Sequence, residues 1–377
     1  MMKRILRKLF CKITRLRHKK EKKTILFEGS KFERAAEGLS KSFQCCILNP
    51  KWSIHYYIRY LKYGIRCYVR DDWKLEDFYE YNSEGIKSYN SKCKINIARK
   101  KTRELFEREN IGLIILTEDM LPNNVILLSV AREMHIPSIT YMHGLISPNP
   151  DFLFGCQTDY FWVWGQYFKD KYIKYKLKNE NEIWVAGYPD KIPKQKIKKN
   201  EEAILFIGKG YTEWRYPELM GKYGCIPQEI ARACVKYGIQ FVYRPHPSEN
   251  MRTVKERFAG TSGVKISREK DLYKDLQHYR YVFGGNSTAM VEAALMNNTV
   301  VLIDFKEDIG NDVESYKYYI GGNFFELEAC LELIKNHAYR DLPSNQCDSY
   351  YVTCDKNYID NISKEVSRIL KESSVNE

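Results

Sequence analysis

The chain has no apolar run long enough to cross a bilayer. Its longest, residues 111–116 and 300–303, fall far short of the roughly 20 residues a spanning helix needs. There is no H-E-x-x-H, no G-x-S-x-G and no C-x-x-C pair among the eleven cysteines. Zinc-dependent hydrolysis and α/β-hydrolase chemistry are therefore not expected. A D-x-D triplet is also missing, so no metal-held diphosphate is expected, and no cofactor. Internal repeats and low-complexity tracts are absent. The cysteines are odd in number and scattered, a usage that fits a reducing cytosol with most thiols as small core residues.

At 377 residues, with 44% hydrophobic and 14% aromatic residues, the chain can bury two cores, and two domains of roughly 150–200 residues are expected. The formal charge of +13 is concentrated at one end. Residues 1–23 hold eleven Lys/Arg and a single acid, Glu21, which leaves the rest of the chain nearly neutral. In that arm Ile5, Leu6, Leu9, Phe10, Ile13 and Leu16 recur at helical spacing, with Lys3, Arg4, Arg7, Lys8, Lys12 and Arg15 between them. Such a helix suits the headgroup layer of an anionic membrane, so residues 3–17 are expected to hold the protein peripherally on an anionic membrane surface. Two other readings are open. The stripe packs on the body of the protein, or the arm is a presequence, against which the absence of serine counts. Nucleic acid is not an expected partner, because the body carries no basic stripe.

Past the arm, strands and helices alternate, which predicts parallel sheets covered by helices. Strands are expected at 24–27, 111–117, 138–142, 160–164, 183–186, 203–207, 240–243, 281–283 and 299–304. Helices are expected at 31–40, 123–134, 166–175, 227–237, 272–278, 289–296, 325–336 and 357–371. Residues 50–100, rich in Tyr, Lys and Arg, resist assignment. The polar stretch 190–202, with Pro193, reads as a linker. The expected organisation is a basic arm (1–23), an N-terminal α/β domain (24–189), the linker, a C-terminal nucleotide-binding α/β domain (203–345) and a helical segment (346–377).

The chemistry-bearing segments fall where strands end. Gly284-Gly285-Asn286-Ser287-Thr288 precedes a helix, where glycines admit close backbone approach and the helix N-terminus suits phosphate. Glu292, one turn on, is placed for a ribose hydroxyl; a plain helix cap is the alternative for the segment. In Arg244-Pro245-His246-Pro247 two prolines hold His246 extended beside an arginine, a pairing suited to a diphosphate, a leaving phosphate or a carboxylate; a surface turn with an incidental histidine is the alternative. Lys209 and Gly210 belong to a glycine turn after the first strand of the second half. In the N-terminal half, His143-Gly144 ends a strand and reads as an acceptor or cleft group or as a structural histidine. Glu118 and Asp119 end another; one of them would deprotonate an acceptor hydroxyl, unless the pair solvates a loop or caps the next helix. Glu28-Gly29 stands at the end of the first strand.

The order H-G, strand-G-x-G, R-P-H-P, then G-x-N-S-T-x-x-x-E-A resembles GT-B-fold glycosyltransferases of bacterial surface-polysaccharide assembly. It is similar in style to those with an HP motif and a later Ser/Thr motif, such as capsule sialyl- and Kdo-transferases and the CDP-glycerol polymerases. The resemblance implies an α/β protein of two Rossmann-like parallel-sheet domains facing a cleft. It also implies a metal-independent transfer from a nucleotide-sugar donor, cytidine nucleotide favoured, to a surface polysaccharide or lipid-linked glycan, on the cytoplasmic, inner face of the plasma membrane. His246 would meet the donor phosphate, Ser287 and Thr288 would cradle it, Glu292 would lie near the ribose, and Glu118 or Asp119 would be the base. Two positions depart from the pattern: Met120 follows the acids where the family has Gly, and Asn297-Asn298 stands where many relatives have Gly-x-Pro. The same scaffold also serves sugar-nucleotide 2-epimerases, and a non-catalytic assembly scaffold is the third reading.

Overall fold

The computed structural model describes residues 2–15, 22–29, 32–50, 53–69, 79–82, 85–89, 92–145, 154–193, 199–209, 226–302, 331–332, 334–336 and 347–375. The chain divides into two compact units, Met1–Lys191 with Val352–Glu377, and Ile192–Tyr351.

The first unit opens with α1 (Met2–Arg15), β1 (Thr24–Glu28), α2 (Glu33–Leu39), β2 (Gln44–Leu48), α3 (Ile54–Tyr63) and β3 (Arg66–Tyr68). A two-stranded antiparallel hairpin, β4 (Tyr79–Asn82) and β5 (Gly85–Tyr89), leads to α4 (Lys92–Glu109). Then follow β6 (Ile111–Leu116), α5 (Pro122–Glu133), β7 (Ser138–Tyr141), β8 (Tyr160–Val163), α6 (Gln166–Lys174) and β9 (Ile183–Val185). Its seven-stranded sheet has the order β3-β2-β1-β6-β7-β8-β9, with parallel pairings throughout. β6 is buried at all six positions, as an Ile/Leu run covered on both faces must be. Successive strands run outward from β1 in one direction and then from β6 in the other, so the order reverses between these two. That is where open parallel sheets bind ligands.

The second unit repeats the plan with β10 (Asn200–Ile207), α7 (Ile226–Lys236), β11 (Gln240–Arg244), α8 (Met251–Arg257), β12 (Val264–Ile266), α9 (Leu272–His278), β13 (Tyr279–Gly284), α10 (Thr288–Leu295) and β14 (Thr299–Leu302). The order is β12-β11-β10-β13-β14, again all parallel. Phe206, Phe241, Tyr243, Phe258 and Phe283 form its aromatic core with Ile230, Ala231 and Cys234 of α7. Its order reverses between β10 and β13. The last helix, α11 (Tyr358–Val375), returns to the first unit. The Tyr358 and Tyr141 hydroxyls meet there at 2.9 Å, and a side chain at Gly38 would run into Ile359.

The two parallel-sheet domains are those the alternation predicts. Most of the differences lie in polar segments. The unassigned stretch 50–100 contains α3, β3, the β4–β5 hairpin and the start of α4. β10 begins at Asn200, inside the stretch expected as linker, and β2, α8 and β12 were not anticipated at all. The expected strand end at 303–304 and the expected helix from 325 to 330 lie outside the described residues, as does Leu16. Eight cysteines have described side chains, all of them free thiols, and five of these are buried.

Candidate functional site

Three of the segments singled out in the sequence leave the second sheet side by side. Ile207 is paired with Arg244 on one side and with Gly284 on the other. The turn at 208–209, the Arg244–Pro247 segment and the Gly285–Thr288 segment therefore start from adjacent strand ends, and the first and last flank the reversal of strand order. Gly208 N–H donates to the Arg244 carbonyl at 2.8 Å. A Cβ on Gly208 would lie 2.7 Å from a Glu249 carboxylate oxygen and would strike the Tyr243 hydroxyl. A Cβ on Gly284 would stand 3.1 Å from the Ile207 carbonyl. Both glycines are therefore needed for packing of the strand ends. Burial pushes the Lys209 ammonium down to about 8. Gly210 lies outside the described residues.

Arg244 turns its charge into the fold. Its guanidinium donates to Asp275 and to the Glu269 carbonyl, at 3.2 Å in the latter case. Both side chains of the pair are nearly buried, 12% and 5% exposed. Ser267 Oγ donates to the same Asp275 oxygen at 2.7 Å, so this cluster ties β11 to the chain before α9. His246 is exposed, and Ser248 N–H points at its Nδ1 at 3.2 Å, with Ser248 Oγ 2.7 Å from the same nitrogen. A backbone N–H only donates, so Nδ1 is the acceptor and the proton of the neutral ring resides on Nε2.

Ser287 caps α10 from an extended backbone without a side-chain cap bond, which leaves its hydroxyl and the first helical N–H groups uncommitted to each other. Thr288 and Asn286 are half-buried beside it, and Gly285 is buried. Glu292 accepts a hydrogen bond from Tyr273 at 3.1 Å, which links the helix to α9. Among the described residues no three His, Cys, Asp or Glu side chains gather as a metal-ligand set.

At the corresponding edge of the first sheet, β1, β6 and β7 end together. Asn124 Nδ2, on α5, is 2.7 Å from Glu118 Oε1 and 3.4 Å from Glu28 Oε2. Thr117 Oγ1 donates to Glu28 at 2.8 Å. His143 Nδ1 meets the Thr117 carbonyl, which only accepts, so the neutral ring carries its proton there and keeps Nε2 as the basic nitrogen. Gly144 follows, half-buried. Glu118 also accepts the N–H groups of Met120 and Leu121 at the entrance to α5, at 3.0 and 2.9 Å. Burial raises its carboxyl above the usual range. Asp119 differs: its side chain is inaccessible, and its two oxygens accept Gly155 and Gln157 N–H at 2.8 and 2.7 Å. Its visible work is to anchor the loop ahead of β8.

The sequence does not single out Glu249, Tyr243, Arg257 or Asn124. Each is a polar residue one turn or one strand-end away from a recognised motif, and nothing in its spacing separates it from a solvated surface group.

The N-terminal helix packs by a narrow face. Cys11 and Thr14 are buried, Thr14 Oγ1 accepts Cys67 N–H at 3.1 Å, and Phe10 lies against Tyr57 with ring centroids 5.2 Å apart. Leu6, Leu9 and Ile13 remain 36, 51 and 38% exposed, and Lys8 and Lys12 are exposed beside them. Most of the described apolar stripe therefore does not pack on the body. No helix among the described residues is long and apolar enough to cross a membrane.

No family model matches the chain. A stretch of 190 residues is 23% identical to an uncharacterized protein of Methanocaldococcus jannaschii, covering 49% of this chain and 30% of that protein, so the chain spans under a third of this relative. Among solved structures, the chain is similar to the UDP-GlcNAc 2-epimerase of Neisseria meningitidis bound to UDP-GlcNAc (TM-score 0.61, 13% identity, 92% of this chain and all of that one). It is similar to a putative UDP-N-acetylglucosamine 2-epimerase of Listeria monocytogenes (0.63, 14%, 93% and 97%), and to a glycosyltransferase of Rickettsia africae (0.53, 13%, 95% and 100%). At these identities the likeness establishes the fold, which is GT-B-like.

Proposed function

We propose that the chain is an enzyme acting on a nucleotide sugar, with the donor phosphates held at the edge of the second sheet. One observation carries this reading. The pairing of Ile207 with both Arg244 and Gly284 gathers a lysine turn, an exposed histidine that presents Nε2–H and the start of a helix at the reversal of strand order. Oriented donors and a helix N-terminus of this kind suit an anion that gains charge as a bond to phosphate breaks. Arg244, paired with Asp275, shapes this edge; the phosphate contacts fall to Lys209, His246, Ser287 and Thr288.

The first-sheet edge supplies proton transfer. Glu118 carries a carboxyl raised by burial, and His143, its Nδ1 held by the Thr117 carbonyl, keeps Nε2 as an acceptor, so this edge holds two groups that can take part in proton transfer. Asp119 is the weaker base candidate, because its side chain is inaccessible while Glu118 is half-buried.

Two reactions fit this equipment. Epimerisation at the sugar C2 has the support of fold likeness, since both 2-epimerases stand above the glycosyltransferase in TM-score. Transfer to a glycan or lipid-linked acceptor has the support of α1, whose exposed Leu6, Leu9 and Ile13 among cations suit an anionic membrane surface. Such a contact would place the enzyme on the inner face of the membrane, beside a lipid-linked acceptor. Incubation with UDP-GlcNAc alone separates the reactions. Formation of its C2 epimer without acceptor supports epimerisation, and turnover that requires a glycan or lipid-linked acceptor supports transfer. If no nucleotide sugar binds, the enzymatic proposal fails and an assembly scaffold remains. Flotation with anionic vesicles tests the membrane contact: loss of binding in the L9D/I13D variant supports it, and binding unchanged by those substitutions contradicts it.

A further inference from the structure

Glu249 is a buried carboxylate with no part in the motifs that led to the site. Its side chain is 5% exposed, and it gathers groups from several elements. It accepts the His246 backbone N–H at 2.7 Å, the Tyr243 hydroxyl at 2.9 Å and Arg257 Nη1 of α8 at 2.9 Å. Its Oε2 occupies the space that a side chain at Gly208 would need. Its own N–H donates to the His246 carbonyl at 2.9 Å, so carboxylate and backbone close the 246–249 turn from both directions. A charge taken this far from water persists only with full pairing, and here Arg257 and two neutral donors supply it. Tyr243, placed between Glu249 and Arg257, has its phenol pushed far up by burial and remains a donor.

We propose that Glu249 is the positioning residue of the phosphate-binding edge. Its carboxylate locks the 246–249 turn so that Ser248 N–H meets His246 Nδ1, and this fixes the imidazole as the neutral tautomer with the proton on Nε2. The same carboxylate sits against Gly208, so it also sets the spacing between the Lys209 turn and His246. The phosphate part of this inference rests on the proposed nucleotide-sugar reading; the tautomer part does not.

The test is long-range 1H–15N NMR of the histidine rings in the full chain, with the His246 signals assigned through H246A. It is paired with titration of CMP, CDP and UDP into the parent, E249A, E249Q and S248A. The parent is expected to show His246 as the Nε2–H tautomer at pH 7.5. E249A is expected to show a mixture of tautomers and at least tenfold weaker nucleotide binding. E249Q retains an acceptor for the His246 N–H and is expected to keep the tautomer with less than a threefold loss of affinity, also providing the comparison if E249A does not fold. S248A leaves the backbone donor in place and should keep the Nε2–H form. A parent ring protonated on Nδ1 overturns the proposal. So does E249A with unchanged tautomer and affinity, or E249Q with the tautomer lost. If the parent binds none of the nucleotides but shows the Nε2–H form that E249A loses, the phosphate reading fails and the positioning role stands.

Discussion

The backbone N–H of Gly208 donates to the carbonyl of Arg244 at 2.8 Å, and this one bond joins the first turn of the second unit to its histidine segment. The bond is possible because neither Tyr243 nor Glu249 has to share space with a side chain at 208. Gly208→Ala would bring a Cβ to 2.7 Å from Glu249. Overpacking of this kind costs about 1–3 kcal/mol. The substitution should lower the unfolding midpoint in urea and weaken nucleotide binding together, as equilibrium unfolding and titration of the same preparation would show. Full retention of both would mean that the turn is loosely packed.

Arg244 and His246 are two residues apart and should behave in opposite ways. Breaking the buried pair of Arg244 with Asp275 leaves an uncompensated charge, a loss of about 3–5 kcal/mol. Arg244→Ala and Asp275→Ala should therefore both unfold at lower denaturant. His246→Ala should leave stability within about 0.5 kcal/mol, as exposed surface changes do. Its turnover should fall about 10²–10³-fold, the usual cost of losing a donor to developing negative charge.

Lys209 makes anion binding depend on pH above neutrality. Its folded-state pKa of about 8 lies below the ordinary value of 10.5, so the ammonium is lost as pH rises through 8. Affinity for a nucleoside diphosphate should fall between pH 7 and 9, by up to about tenfold per unit, and Lys209→Arg should flatten that profile. Without ligand the sign reverses. The unfolded chain keeps this proton to higher pH, so the Lys209 contribution to stability rises from pH 8 towards 10.5. Isothermal titration and denaturation at matched pH values measure the two effects separately.

Glu118 should set the acid limb of activity. Burial holds its carboxyl above the ordinary range, so the limb is expected above the usual glutamate value of about 4.3. Glu118→Gln keeps an acceptor for Met120 and Leu121 N–H and should preserve the fold. Turnover should drop about 10²–10⁴-fold if Glu118 moves a proton in the reaction. The limb should vanish from whatever activity remains.

The sheets were legible because parallel strands covered on both faces are written as short apolar runs, such as Ile111–Leu116, and such runs are distinctive. The strand ends carrying Arg244–Pro247 and Gly284–Thr288 could be found for the same reason, since Pro and Gly punctuate them. The region containing α3 and α4 was opaque because α4 exposes a run of Lys and Arg, and because α3 buries Tyr57 and Tyr60 while leaving Ile58 exposed, which blurs periodicity. What sequence could not convey is side-chain commitment. Arg244 reads as a phosphate ligand until Asp275, 31 positions away, is seen to hold it. Glu118 and Asp119 are neighbours with the same charge, yet one is partly open and the other is buried against two backbone N–H groups. Glu249, in contrast, reads as an ordinary turn acid and proves to be buried.

On the proposed reading, the edge of the second sheet holds the phosphate of a nucleotide sugar. Thermal unfolding of the parent and of His246→Ala with CMP, CDP, UDP and GDP tests it most directly. At a hundredfold excess over Kd a bound nucleotide adds about 2.7 kcal/mol, which raises Tm by about 5–10 °C for a domain of this size. At least one pyrimidine nucleotide should give such a rise in the parent, and His246→Ala should lose it. No rise with any nucleotide, or an equal rise in both proteins, would contradict it.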